Sequence, residues 1–176
     1  MASELASKAD ELTAKRNGVR DEIAEYLVVR LRVLGMENAR VEVRMSGKDY
    51  SADGQDVVEL VFTANKNAEL RPIASIASGG EIARLMLALK CLIAKSAELP
   101  TIIFDEIDTG VSGDVAGRMG EMMAEMATDI QVLTITHLPQ IAARGGQHFK
   151  VFKHDTEDAT VTQIVELTAS ERELEI

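Results

Sequence analysis

The run Thr101-Ile-Ile-Phe, closed by Pro100 on one side and the acid pair Asp105-Glu106 on the other, limits the fold most. A short, wholly apolar strand of this kind is typical of a sheet buried on both faces, the habit of parallel sheets. A second apolar strand, Ile130-Gln-Val-Leu-Thr-Ile-Thr, follows across a helical stretch over 113–127 that carries Met119, Met122, Met123 and Met126. These methionines read as core or interface filler. Ahead of the first strand, Ile82, Leu85, Met86, Leu89, Leu92 and Ile93 mark a helix from Glu81 to about Lys95. After the second, a short helix over 139–143 runs to Gly145-Gly146, which reads as a C-cap pair. Strand and helix thus alternate through 80–143, predicting an α/β domain with a mainly parallel sheet and flanking helices.

Two flanking regions follow other periods. Residues 2 to about 34 read as one long helix: Leu5, Leu12, Val19 and Tyr26 recur every seven residues, with Ala9, Ile23, Leu27 and Val33 alongside, and Gly35 as the stop. The stripe suits either an amphipathic helix packed on its own domain or the base of a coiled-coil arm. Arg40-Val-Glu-Val-Arg-Met-Ser alternates, Ala52-Asp-Gly-Gln turns, and Val57-Val-Glu-Leu-Val-Phe-Thr returns, predicting a hairpin. Residues 66–77 read as a loop, 147–153 and 159–167 as a second hairpin, and the acidic end Glu171-Arg-Glu-Leu-Glu-Ile as a solvated tail.

Composition narrows the class further. With 176 residues, 46% hydrophobic and 27% charged, the chain suits one globular domain. No apolar run approaches the ~20 residues of a membrane span. Met-Ala-Ser-Glu-Leu carries no secretory signal pattern. The single cysteine, Cys91, sits in the apolar run Leu87-Ala-Leu-Lys-Cys-Leu-Ile and reads as a buried structural thiol. A net charge of −10 argues against a surface that coats nucleic acid, so any DNA contact needs a local basic patch or other parts of the protein.

Four strings carry chemistry, and their order matters more than any one of them. Ser78-Gly-Gly-Glu81 stands where a loop becomes a helix. Free N–H groups there, with glycines allowing close approach, suit a phosphate; a plain Ser N-cap would look the same. Asp105-Glu106 ends a buried strand, at the sheet edge where ligands bind. One acid there can hold Mg²⁺ through water and its neighbour can polarise an attacking water, although a solvated pair opening a loop is the simpler alternative. Ile107-Asp108-Thr-Gly-Val-Ser-Gly113 follows, a turn in which Ser112 or Asp114 could cap the next helix. Thr136-His137 ends the second apolar strand; alone, such a histidine is usually structural.

Taken together, the four strings resemble the C-terminal order of an ABC-type ATPase head. Ser78-Gly-Gly-Glu81 looks like the signature, Ile102-Ile-Phe-Asp-Glu106 like Walker B, Asp108 like the D-loop and His137 like the switch histidine. The longer strings ASGGEIARLMLALK (77–90), IIFDEIDTGVSG (102–113) and ITHLPQIAARG (135–145) resemble the RecN family, bacterial SMC-like ATPases of DNA repair and recombination. The resemblance is firm over about 55–167 and looser over 1–34.

That resemblance implies a division into a returning coiled-coil helix, 1–34, and the C-terminal half of the head, 35–176. It implies ATP as substrate, Mg²⁺ held by Asp105, and Glu106 and His137 as catalytic groups. Ser78, Gly79, Gly80, Glu81 and Asp108 would contact nucleotide. The chain contains no G-x-x-x-x-G-K-[ST]; Ser46-Gly-Lys48-Asp is the nearest string and lacks both the upstream glycine and the hydroxyl. The expectation is therefore a fragment, inactive alone, whose Walker A half comes from the N-terminal segment of the same protein. The expected partners are that half, a second head and DNA, in the cytoplasm with the nucleoid and with no membrane. The alternatives are an ABC transporter ATPase subunit or a non-catalytic dimerisation module.

Overall fold

The computed structural model describes residues 2–111, 113–155 and 159–175, arranged as two compact units, 1–99 and 100–176. The capping role expected of Ser112 lies outside the described residues.

The first unit begins with α1 (Ala2–Val33). Gly35 ends it with a φ of 81°, while the Met36 amide reaches back to the Leu31 carbonyl at 2.9 Å. That six-residue closure needs a left-handed residue, which glycine supplies without a Cβ clash. β1 (Arg40–Ser51) and β2 (Gly54–Thr63) form the hairpin, with β3 (Arg71–Pro72) added to β2. Both strands run several residues further toward the turn than the alternation predicted, through a register shift between Gly47 and Ser51. The expected loop 66–77 contains β3 and a 3₁₀ turn, Ile73–Ser75. Helix α2 (Gly79–Ala97) closes the unit and stops at Glu98, whose left-handed backbone precedes Pro100. Cys91 is half-buried on it.

The core of this unit joins Leu27, Leu31, Met36, Ala39, Phe62, Leu85 and Ala88. Only the last turns of α1 enter it. Farther up, α1 meets the hairpin through polar groups: Thr13 Oγ1 donates to both Asp56 oxygens at 2.8 and 2.9 Å, and Arg16 pairs with Asp56 at 2.9 Å. A Cβ on Gly54, φ +97°, would meet Leu12 Cδ2 at 2.9 Å, so this turn is closed against the helix.

In the second unit β4 (Thr101–Asp105) pairs with β5 (Gln131–Ile135) in parallel, joined by α3 (Gly113–Met126). This pair is the parallel part of the expected sheet, and the other paired strands are antiparallel. Ile102 and Phe104 are buried, along with Ala116, Met119, Met122, Met123 and Met126 of α3. The opposite face does not match the expectation of double burial: Ile103, Leu133 and Ile135 are 56%, 44% and 55% exposed. An apolar run with no alternation cannot by itself say whether both faces are covered within one chain.

Helix α4 (Pro139–Ala142) follows, and α3 approaches it closely at Gly120. A Cβ there would lie 3.1 Å from the Gln140 carbonyl oxygen and 3.2 Å from Ile141 Cα. The cap of α4 is Ala143 in right-handed conformation, not Gly145-Gly146. Those two carbonyls instead accept from Arg172 at 2.7 and 2.9 Å. β6 (Phe149–Asp155) and β7 (Thr160–Glu166) form the second hairpin. The acidic end is helical, α5 (Ala169–Glu175). Half of a capping box starts it: Glu171 accepts from both the Thr168 amide (2.8 Å) and hydroxyl (2.6 Å).

Candidate active site

Ser78 enters α2 with φ −85° and ψ 113°, and its hydroxyl accepts from the Glu81 amide at 3.4 Å. The first-turn amides of a helix have no acceptor within it, so those of Gly79 and Gly80 are available. Gly79 is exposed, with open space where a Cβ would stand. An anion could therefore come close to this backbone. Arg84, which sequence reasoning did not single out, steadies the turn. It donates to the Gly80 carbonyl at 2.9 Å and to the Leu34 carbonyl at 3.2 Å, tying the start of α2 to the end of α1. Only the fold brings Leu34 near, so no local pattern marks Arg84.

The remaining site residues lie in the second unit. Because β4 and β5 are parallel, with Asp105 opposite Ile135, the loops that follow both strands leave from one edge. Asp105 and Glu106 are exposed there. The Glu106 amide extends the ladder to the Ile135 carbonyl at 3.0 Å, and its φ is +47°. A left-handed non-glycine residue stores strain on the order of 1–2 kcal/mol. The Thr109 hydroxyl, donating to the Glu106 carbonyl at 2.9 Å, helps hold that turn.

Asp108 points inward and is 1% exposed. Its Oδ2 accepts a short hydrogen bond from the Thr136 hydroxyl, which also accepts from the Leu138 amide at 3.0 Å. Its Oδ1 is buried with no hydrogen-bond partner among the described residues, and His137 Nδ1 stands 4.0 Å from it. The His137 side chain itself is 68% exposed. Thr136 stands in the string Thr136-His137, but sequence reasoning assigns it no role of its own. Its place before His137 at a strand end was a usable signal.

The structure therefore gathers Asp105, Glu106, Asp108 and His137 around one sheet edge in the second unit, and Ser78–Glu81 at a helix start in the first. Among the described residues no group of three or more His, Cys, Asp and Glu side chains converges as a protein-only metal cage. A Mg²⁺ site needs as few as one or two protein carboxylates, and Asp105 presents one that is exposed. Away from this edge, Arg40, Arg44, Lys66 and Glu69 line an open cleft of about 510 Å³ in the first unit. No helix among the described residues is long and apolar enough to cross a membrane.

No family model matches the chain. Individual relatives do. The DNA repair protein RecN of Haemophilus influenzae is 36% identical over 171 residues, which is 96% of this chain and 31% of that protein. RecN of Deinococcus radiodurans is 38% identical over 175 residues, covering 99% and 31%. Among solved structures, an Smc head domain with coiled coil and joint from Pyrococcus yayanosii has a TM-score of 0.70 at 20% identity, over 86% of this chain and 28% of that one. An SMC ATPase structure matches with a TM-score of 0.64 at 19% identity, over 93% and 92%. These structures establish the fold, that of an SMC-type head. The chain spans about 31% of the length of the curated relatives it matches, and over that span it belongs to the RecN family.

Proposed function

We propose that the chain is the C-terminal part of the ATPase head of a DNA repair and recombination protein that acts at double-strand breaks. The observation that carries this reading is the edge of the parallel pair, where Asp105-Glu106 and the loop to His137 leave together. ATP is the substrate. Glu106 orients the attacking water and takes its proton on a carboxylate oxygen, while His137 faces the developing phosphate charge from the next loop. Asp105 is the residue that would hold Mg²⁺, whose chemistry when bound is to neutralise phosphate oxygens. Ser78, Gly79, Gly80 and Glu81 present helix-start donors to the nucleotide held by a second head, so ATP binding closes a dimer and hydrolysis opens it.

The lysine-bearing phosphate loop belongs, in this reading, to the N-terminal half of the same protein. The exposed apolar face Ile103, Leu133 and Ile135 supports a covering segment that this chain does not supply. Residues 1–34 serve as the returning helix of a coiled-coil arm. In favour, much of the seven-residue series is left uncovered: Leu5, Val19 and Val33 are 51%, 47% and 47% exposed and Leu12 is half-buried, while Tyr26 packs against the core. DNA engages the assembled protein, in the cytoplasm with the nucleoid, because a net charge of −10 opposes phosphate contact by this chain alone.

The test is Glu106→Gln in the complete protein. Size and hydrogen bonding persist but the base is gone, so turnover should fall by ~10²–10⁴-fold while ATP still binds and closed dimers accumulate. Hydrolysis at the parental rate, followed by phosphate release, would sink the site assignment. Sedimentation with ATP checks the dimer.

A further inference from the structure

We infer that Asp108 is a positioning residue for His137, acting through its unpaired Oδ1, with Thr136 as the clamp that aims it; its catalytic consequence rests on the ATPase reading above. A carboxylate at 1% exposure with an orphaned oxygen is an expensive arrangement, since buried acceptors are normally satisfied. Its second oxygen is fixed by the Thr136 hydroxyl, whose lone pair is in turn engaged by the Leu138 amide. Asp108 therefore cannot swing freely, and Oδ1 is left aimed toward one nearby ring, that of His137.

The gap from His137 Nδ1 to Oδ1 is 4.0 Å. Shortening it to hydrogen-bond length takes a displacement of about 1 Å, small for a side chain 68% exposed. Once closed, Nδ1–H donates to Asp108 and Nε2 becomes the outward atom of the ring. The outer nitrogen can then accept a proton, or donate one to an anionic oxygen after protonation, while the buried carboxylate balances the imidazolium. Asp108 thus sets which nitrogen of His137 faces the site. Buried at 1% exposure, it acts through the ring, a role different from the nucleotide contact that the resemblance implied.

The tautomer is directly measurable. In the 176-residue chain labelled with ¹⁵N-histidine, long-range ¹H–¹⁵N spectra under conditions where the ring is neutral should show His137 chiefly as the Nδ1–H form, with His148 and His154 as internal references. An unrestrained ring favouring Nε2–H in the native spectrum would overturn the inference, and that spectrum needs no variant. Asp108→Asn offers an amide donor to Nδ1 and should invert the tautomer. Thr136→Val should leave a mixture and Thr136→Ser should preserve the native form. A tautomer unchanged in Asp108→Asn would also overturn it. In the complete protein, Asp108→Asn should lower kcat by about 10–100-fold with KM for ATP unchanged. Failure of Glu106→Gln to slow hydrolysis would refute the ATPase site while leaving the tautomer result standing, so the two failures are distinguishable.

Discussion

Two buried aspartates separate the halves of this molecule. Asp56, 7% exposed in the first unit, accepts from Thr13 with both oxygens and pairs with Arg16. Asp108, 1% exposed in the second, has one oxygen bonded to Thr136 and the other without a hydrogen-bond partner among the described residues. The first unit uses its buried Asp56 to hold a helix to a hairpin, with both carboxylate oxygens bonded. The second leaves an unmatched oxygen, the left-handed Glu106 and an uncovered apolar face around one sheet edge, whereas the left-handed residue of the first unit, Glu98, only ends a helix. Such local imperfections concentrate where a fold serves chemistry, because a site must keep groups available that a scaffold would satisfy.

The contrast can be broken by substitution. Asp56→Ala should cost the most, about 3 kcal/mol, because Arg16 and Thr13 lose a mostly buried partner together. Asp108→Asn, which keeps the Thr136 acceptor, should stay within about 1 kcal/mol of the parent. Urea unfolding of both variants checks the pair; equal losses would erase the distinction between the units. Gly120→Val should cost about 2 kcal/mol, since the added carbons meet the backbone of α4 as well as the Arg144 side chain, and the backbone cannot turn away. Thermal unfolding would detect it, and an unchanged midpoint would show that α4 moves freely.

Smaller effects sharpen the comparison. Glu106→Gly should be about 1 kcal/mol more stable than Glu106→Gln, since both lack the carboxylate but only glycine relieves the positive φ. Equal stability would mean the turn holds no strain. The least effect belongs to α5. Hydrogen bonds from the Thr168 hydroxyl and amide hold the Glu171 carboxyl below its ordinary value of 4.5. A depressed folded value stabilises the helix above that ordinary value, and the gain is lost as pH falls through the folded one. Helicity of residues 169–175, followed by NMR shifts, should therefore decline on acidification below pH 4.5, and Glu171→Gln should remove the dependence.

Local pattern and motif order sufficed, without any structure, for much of this protein. The long first helix and its glycine stop, the two hairpins, the strand–helix–strand of 101–135 and the family strings were all legible, because each depends on residues close in sequence. The helix start Thr168-Ala-Ser-Glu171 is equally local, but the acidic run after it reads as solvated tail and hides it. Other features required the chain to fold. Neither the half-covered β4–β5 pair, nor the reach of Arg84 to Leu34, nor the inward turn of Asp108 onto Thr136 can be read from spacing. A side chain's direction and its distant partner are set by packing, where residues tens of positions apart compete for the same few ångströms, and periodicity records only which face of an element is apolar.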